Sequence, residues 1–157
     1  MFRLSFQVDG ALQLERFLDI LADDVDDFKD AFKEMADDFR ETEENIFNSS
    51  GAFEGNSAWA PLKPGYASLK ALKVGNKPIL TYKGDLRKSL GTRGSGHVER
   101  ITKDTLEIGT RDKKAIFHQR GTRKMAQRKV VDLTEPQKRR WVRIAHTEIF
   151  RQLNGGV

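Results

Sequence analysis

The sequence predicts an α+β fold, and three observations predict it. Phe2, Leu4, Phe6 and Val8 alternate with polar residues, the period-two signature of a half-buried strand, and residues 98–108 hold two more short strand-like runs around a turn. Val25, Phe28, Phe32, Met35, Phe39 and Ile46 recur at three- and four-residue spacing, with Thr42 in the one polar slot, which describes a long one-sided helix. Trp141, Ile144, Ala145, Ile149 and Leu153 repeat that spacing near the other end of the chain.

The elements follow in order. Asp9-Gly10 turns the chain after the first strand, and Leu14, Phe17, Leu18 and Leu21 give a short amphipathic helix over residues 12–21. Asp23 or Asp24 can cap the long helix, about residues 24–48, whose length of about 37 Å at roughly 1.5 Å per residue exceeds what so small a domain needs to cover its own sheet. Part of its apolar stripe is then available to another subunit; the plainer reading lays the whole stripe on the sheet. Residues 49–65, with three glycines, Pro61 and Pro64, form an exposed loop. Trp59 inside it is either an anchor tucked into the core or an interface hot spot. Residues 66–72 allow two helical turns, Gly75 to Pro78 break the chain, and Asp85 can cap a short helix through Leu86 and Leu90.

The glycine-rich run GTRGSG, at 91–96, reads as an exposed mobile loop, and its glycines have the wrong offsets for a dinucleotide fingerprint. Val98 to Ile101 and Thr105 to Ile108 flank Thr102-Lys103-Asp104 as a β-hairpin. Ala115 to His118 is a brief apolar patch, residues 122–129 are basic and exposed, and Val130, Val131 and Leu133 suggest one more strand. Thr134 and Gln137 have capping-box spacing with Pro136 in the first turn, so a last helix starts there, and Gly155 stops it.

At 157 residues the chain has room for one domain, 1–157, that buries about 68–70% of its unfolded surface. Without cysteine it has no disulfide framework, thiolate metal site or cysteine nucleophile. No run approaches the roughly 18 apolar residues of a membrane span, so no membrane partner is expected. The net charge of +5 conceals −9 in residues 1–50 and +14 in 51–157. Such asymmetry favours head-to-tail contact between copies, or equally pairing of the two halves within one chain.

The residues that carry chemistry elsewhere are not arranged for it here. His97, His118 and His146 fall in three different predicted elements, poor spacing for a metal; His118 reads as a core-edge histidine bonded to backbone. The acidic cluster Asp23, Asp24, Asp26, Asp27 and Asp30 lacks the glycine and distal glutamate of a calcium loop and reads as a solvated helix start. No cofactor, metal or catalytic residue is therefore expected. The basic half, including Arg120, Arg123, Lys124, Arg128, Lys129 and the arginines 139, 140 and 143, keeps a DNA-backbone-binding protein as the alternative reading.

Four pieces, WAPLKPGYASLK at 59–70, ILTYKGDLRKSL at 79–90, VERITKDTLEIGT at 98–110 and AIFHQRGTRKMAQRKVVDLT at 115–134, come in an order that resembles the phage virion morphogenesis proteins. Tyr82-Lys83 interrupts the second piece and Ala126 to Lys129 replace a proline-bearing stretch of the fourth, relative to the family's usual pattern. The resemblance implies a small, mostly antiparallel sheet packed against the long N-terminal helix and the C-terminal helix. It also implies a non-enzymatic tail-completion or neck subunit of a tailed-phage virion, assembled in the host cytoplasm. Such a subunit forms a homo-oligomeric ring, a hexamer being one candidate, and meets the tail tube or tail terminator and the head–tail connector, with non-specific contact to genomic DNA in the channel. The interface residues expected on this reading are acidic Asp26, Asp27 and Asp30, Trp59, and basic Arg93, Arg120, Arg123, Lys124, Arg128 and Lys129.

Overall fold

A computed structural model describes residues 27–154. Its architecture is α+β, with five helices and one two-stranded antiparallel sheet among the described residues. The order is α1 (Lys29–Asn48), α2 (Pro64–Val74), α3 (Asp85–Gly91), β1 (His97–Ile101), β2 (Leu106–Thr110), α4 (Lys114–Arg120) and α5 (Glu135–Asn154). The strand and helix expected before residue 22, Asp26 and the stop at Gly155 lie outside the described residues.

The expected stripe of α1 is the buried one. Phe32, Met35, Phe39, Thr42 and Ile46 are each at most 4% exposed, as is Phe28 just before the helix. The expected cap at Asp23 or Asp24 lies outside the described residues; residues 27 and 28 are not helical, and the helix starts later than expected, at Lys29, whose backbone N–H is held at 2.9 Å by the Asp27 carboxylate. It ends in a Schellman closure: Gly51 N–H donates to Ile46 O at 2.8 Å and Ser50 N–H to Phe47 O at 3.3 Å, with Ser50 left-handed at φ 50°.

The contacts divide the chain into two compact units. The first comprises, of the described residues, 27–39, 99–108 and 133–154. Its core is the first half of α1 with Leu106, Leu133 and the Trp141, Ala145 and Ile149 face of α5. Phe28 N–H donates to Lys103 O at 2.8 Å, tying the start of α1 to the hairpin turn, which Thr102 and Asp104 close through a 2.6 Å side-chain bond. Trp141, fully buried, donates its indole N–H to Asp38 at 2.7 Å, and Asp38 also takes the Arg140 guanidinium. Helix α5 opens as its capping signal predicts, with Gln137 N–H bonded to Thr134 Oγ1 at 3.1 Å.

The second unit comprises residues 40–98 and 109–132. Here Trp59 is 8% exposed, packs edge-on against Phe47 with ring centroids 5.3 Å apart, and donates its indole N–H to Lys129 O at 2.8 Å. Of the two readings open for it, the core anchor is the observed one. Gly51 makes room: a Cβ there would lie 2.7 Å from the indole. Glu43, 1% exposed with Oε2 lacking any hydrogen-bond partner, is held by burial, and secondarily by the Asp132 carboxylate, well above the usual carboxylate range.

Three local expectations are corrected. Val130 to Leu133 form no strand, because the Gln119 side chain takes up their backbone: Oε1 accepts from Val130 N at 2.8 Å and Val131 N at 3.0 Å, and Nε2 donates to Val131 O at 3.0 Å. The cap of α3 is Gly84, left-handed at φ 88°, and Asp85 is its first helical residue without a side-chain cap bond. The run at 91–96 is folded back on α3, with Thr92 and Gly94 N–H both bonded to Lys88 O, at 3.1 and 2.8 Å.

Candidate partner-binding cleft

The second unit contains a cleft of 690 Å³. One wall comes from residues 61–63 and the first turns of α2, where Pro64 starts a helix that buries only one side chain, Lys70. That lysine points its ammonium inward and donates to Lys77 O at 3.0 Å and to Pro78 O, pinning the break that follows α2. Burial, with Lys77 nearby, lowers its pKa. A second wall is the 80–86 turn into α3, shaped by Leu80 at φ 63° and by Gly84. The third comes from Asp112, Lys114 and His118 at α4 and from residues 124–128, where Thr122 and Met125 pair across a tight turn.

Arg128 joins two of these walls. It is 8% exposed, donates from Nε to Ala60 O at 2.9 Å and from an Nη to Pro61 O at 3.0 Å, while its backbone N–H reaches His118 O at 2.8 Å. Like Lys70, it is bonded to carbonyl oxygens that carry no formal charge, so its positive charge persists in the wall. The sequence suggests a His118 satisfied by backbone, but its buried Nδ1 has no hydrogen-bond partner. Burial, then the Arg128 cation, lowers its pKa and favours the neutral ring.

The floor is apolar, from Leu62, Tyr66, Leu80, Tyr82, Leu86 and Met125, and the rim carries Lys63, Lys83, Lys114 and Lys124, all exposed. A shallower lobe of 250 Å³ shares Tyr66, Lys70 and Tyr82 and extends the cleft past Leu69 and Lys73. The outer face of α2 continues it, with Tyr66 51%, Leu69 57% and Leu72 84% exposed. Side chains three residues apart on a helix lie on one face, so these form an apolar stripe turned to solvent.

The residues expected at an interface are distributed unevenly. Lys124 and Arg128 line the cleft; Arg120 and Arg123 are exposed nearby in sequence, at the end of α4 and in the turn after it. Arg93 is exposed in the 91–96 turn, with φ 54°. Lys129 is paired with Asp132 at 3.0 Å, and Trp59 and Arg128 are turned inward. Asp27 and Asp30 belong to the first unit, where Asp30 meets Lys33 at 2.9 Å and Arg151 at 3.8 Å, the Lys33 bond chiefly lowering its pKa. Sequence reasoning missed Lys63, Tyr66, Lys70, Tyr82, His118 and Met125 as site residues, although the pieces at 59–70, 79–90 and 115–134 supply nearly all of the lining. No spacing in the sequence singles these residues out, because their exposure is settled by the fold. Among the described residues no group of His, Asp and Glu is placed to hold a metal, and no helix is long and apolar enough to cross a membrane.

What fold and cleft define is an α+β protein bearing an apolar groove rimmed with lysine. Residues 10–148 match the model of the phage virion morphogenesis family, and the chain belongs to that family. It is a family of phage structural and assembly proteins rather than a class of enzymes. Comparison with curated proteins and with solved structures returned no match.

Proposed function

We propose that this chain is a structural subunit of a tailed-phage virion, a tail-completion or neck protein that forms a ring at the head–tail junction or the top of the tail. It makes and breaks no bond; it acts by presenting complementary surfaces to copies of itself and to the tail tube, tail terminator or connector. The observation that carries this reading, beside family membership, is the apolar groove and the adjoining stripe on α2. Exposed apolar surface of this kind, rimmed by polar groups, marks sites where one protein meets another. A closed ring uses a heterologous contact, in which one surface of each copy meets a different surface of the next, and an acidic first third followed by a basic remainder suits that geometry.

The test is a phage from which this chain has been deleted and to which it is then returned. The expected outcome is heads and tails that accumulate unjoined, or tails that lack their upper end, with infectious particles restored by the returned protein and the chain located at the junction by electron microscopy of virions. Normal virions without it, or its location away from the junction, would overturn the proposal.

A further inference from the structure

We infer that the lysine-rimmed cleft is the socket for residues 12–24 of a second copy of this chain, an inference that rests on the assembly role proposed above. The apolar lining of the cleft runs on through the second lobe, which shares Tyr66, Lys70 and Tyr82 with it, and onto the exposed Leu69 and Leu72 of α2, a continuous surface that suits a polypeptide element. A helix laid in such a groove anchors itself through apolar side chains at positions i, i+3, i+4 and i+7. In the sequence Leu14, Phe17, Leu18 and Leu21 have that spacing.

Charge selects the same partner. The rim and walls carry Lys63, Lys70, Lys83, Lys114, Lys124 and Arg128 against Asp85 and Asp112. Residues 12–24 carry Glu15, Asp19, Asp23 and Asp24 against Arg16. An acidic helix seated by its apolar face thus brings carboxylates to the lysines of the rim, a complementarity that fixes register and rejects basic partners. Duplex DNA would use the lysines and leave the apolar floor uncovered, since phosphate contacts are electrostatic.

The experiment uses the full chain and two charge reversals: Lys63→Glu with Lys83→Glu in the groove, and Glu15→Lys with Asp19→Lys in the segment. Lys63 and Lys83 are exposed, and in the sequence Glu15 and Asp19 fall between the apolar positions of their segment, so neither reversal replaces an apolar residue. Unchanged thermal unfolding confirms that each variant keeps the fold. Self-association is followed by sedimentation equilibrium over a concentration series. Each variant alone should self-associate on the order of tenfold more weakly than the parent chain. An equimolar mixture of the two should regain the parent's association, because each reversed groove then meets a reversed segment and each native groove a native one. Pairing within a single chain cannot give that rescue.

A mixture no stronger than its components, or a groove variant that associates like the parent, overturns the inference, as does a parent chain that stays monomeric. A groove variant that self-associates normally yet no longer completes tails assigns the cleft to another virion protein; it overturns the inference and leaves the assembly role standing. A parent chain that does not restore infectious particles to the deleted phage removes the assembly role itself.

Discussion

Gln119 grips the backbone of Val131 from both sides, accepting its N–H at 3.0 Å and donating to its C=O at 3.0 Å. The same Oε1 also takes the N–H of Val130, a residue 1% exposed, at 2.8 Å. One side-chain amide therefore does for residues 130–131 what a neighbouring strand would do, which is why a strand-like sequence remains outside any sheet. The adjacent turn is shaped to allow this: Gly121 sits at φ 71°, where an added Cβ would approach Gln127 N to 3.0 Å, and Gln127 Nε2 bonds back to Gln119 O at 2.9 Å.

Gln119→Ala should accordingly destabilise the chain by about 1–3 kcal/mol, the cost of leaving buried backbone groups without partners. Urea unfolding measures this. A midpoint unchanged from the parent would show that water or a backbone shift replaces the amide.

Trp59 and Gly51 form a second coupled pair. Trp59→Ala should cost roughly 3–5 kcal/mol by removing a buried aromatic. Trp59→Phe should cost less, since it keeps the ring against Phe47 while losing the bond to Lys129 O. Gly51→Ala should also destabilise, because φ is 97° and the new methyl carbon would meet the indole at 2.7 Å. Thermal unfolding of the three variants checks the ranking; an unaffected Gly51→Ala would mean that the loop and indole shift freely.

Glu43 makes stability depend on pH. Its folded pKa lies above its ordinary value of 4.5, so between those two values the folded chain binds more protons than the unfolded one. Its effect on stability is therefore nil below about pH 4 and increasingly unfavourable as pH rises above 4.5 toward the folded pKa. Glu43→Gln, which cannot ionise, should raise the melting temperature at pH 7 by a few degrees, about 2–4 °C for each kcal/mol regained in a chain of this size. At pH 4 the gain should shrink toward zero. Equal gains at both pH values would contradict the linkage.

Asp38 receives two donors from consecutive residues of α5, Arg140 and Trp141. Asp38→Ala should cost about 1–3 kcal/mol, because it strands the indole N–H of a fully buried tryptophan. Asp38→Asn retains an acceptor and should recover part of that loss. Chemical denaturation of both variants would sink this account if alanine and asparagine proved equally harmless.

Much of this chain is legible in the order of its residues. The stripe from Phe28 to Ile46, the hairpin, and the Thr134 start of α5 all appear where periodicity and capping chemistry put them. These features depend on residues within a few positions of one another, and helix and strand periods write them directly into the amino-acid sequence. The family, too, is recognisable from the order of four short pieces, and the match over residues 10–148 agrees.

Only the tertiary structure decided which way Trp59 faces, why Val130 and Val131 lie outside a sheet, and that three separated pieces close around one cleft. Trp59 finds its acceptor 70 residues away and Gln119 finds Val131 12 residues away. Such contacts obey no period and leave no spacing to read, because they are selected by where folded backbones expose unpaired groups. The sequence by itself determined α1, the hairpin, the start of α5 and the charge of the acidic and basic segments; the fold decided the short helix at Lys114–Arg120, the turn at 91–96 and which apolar side chains would be left in solvent.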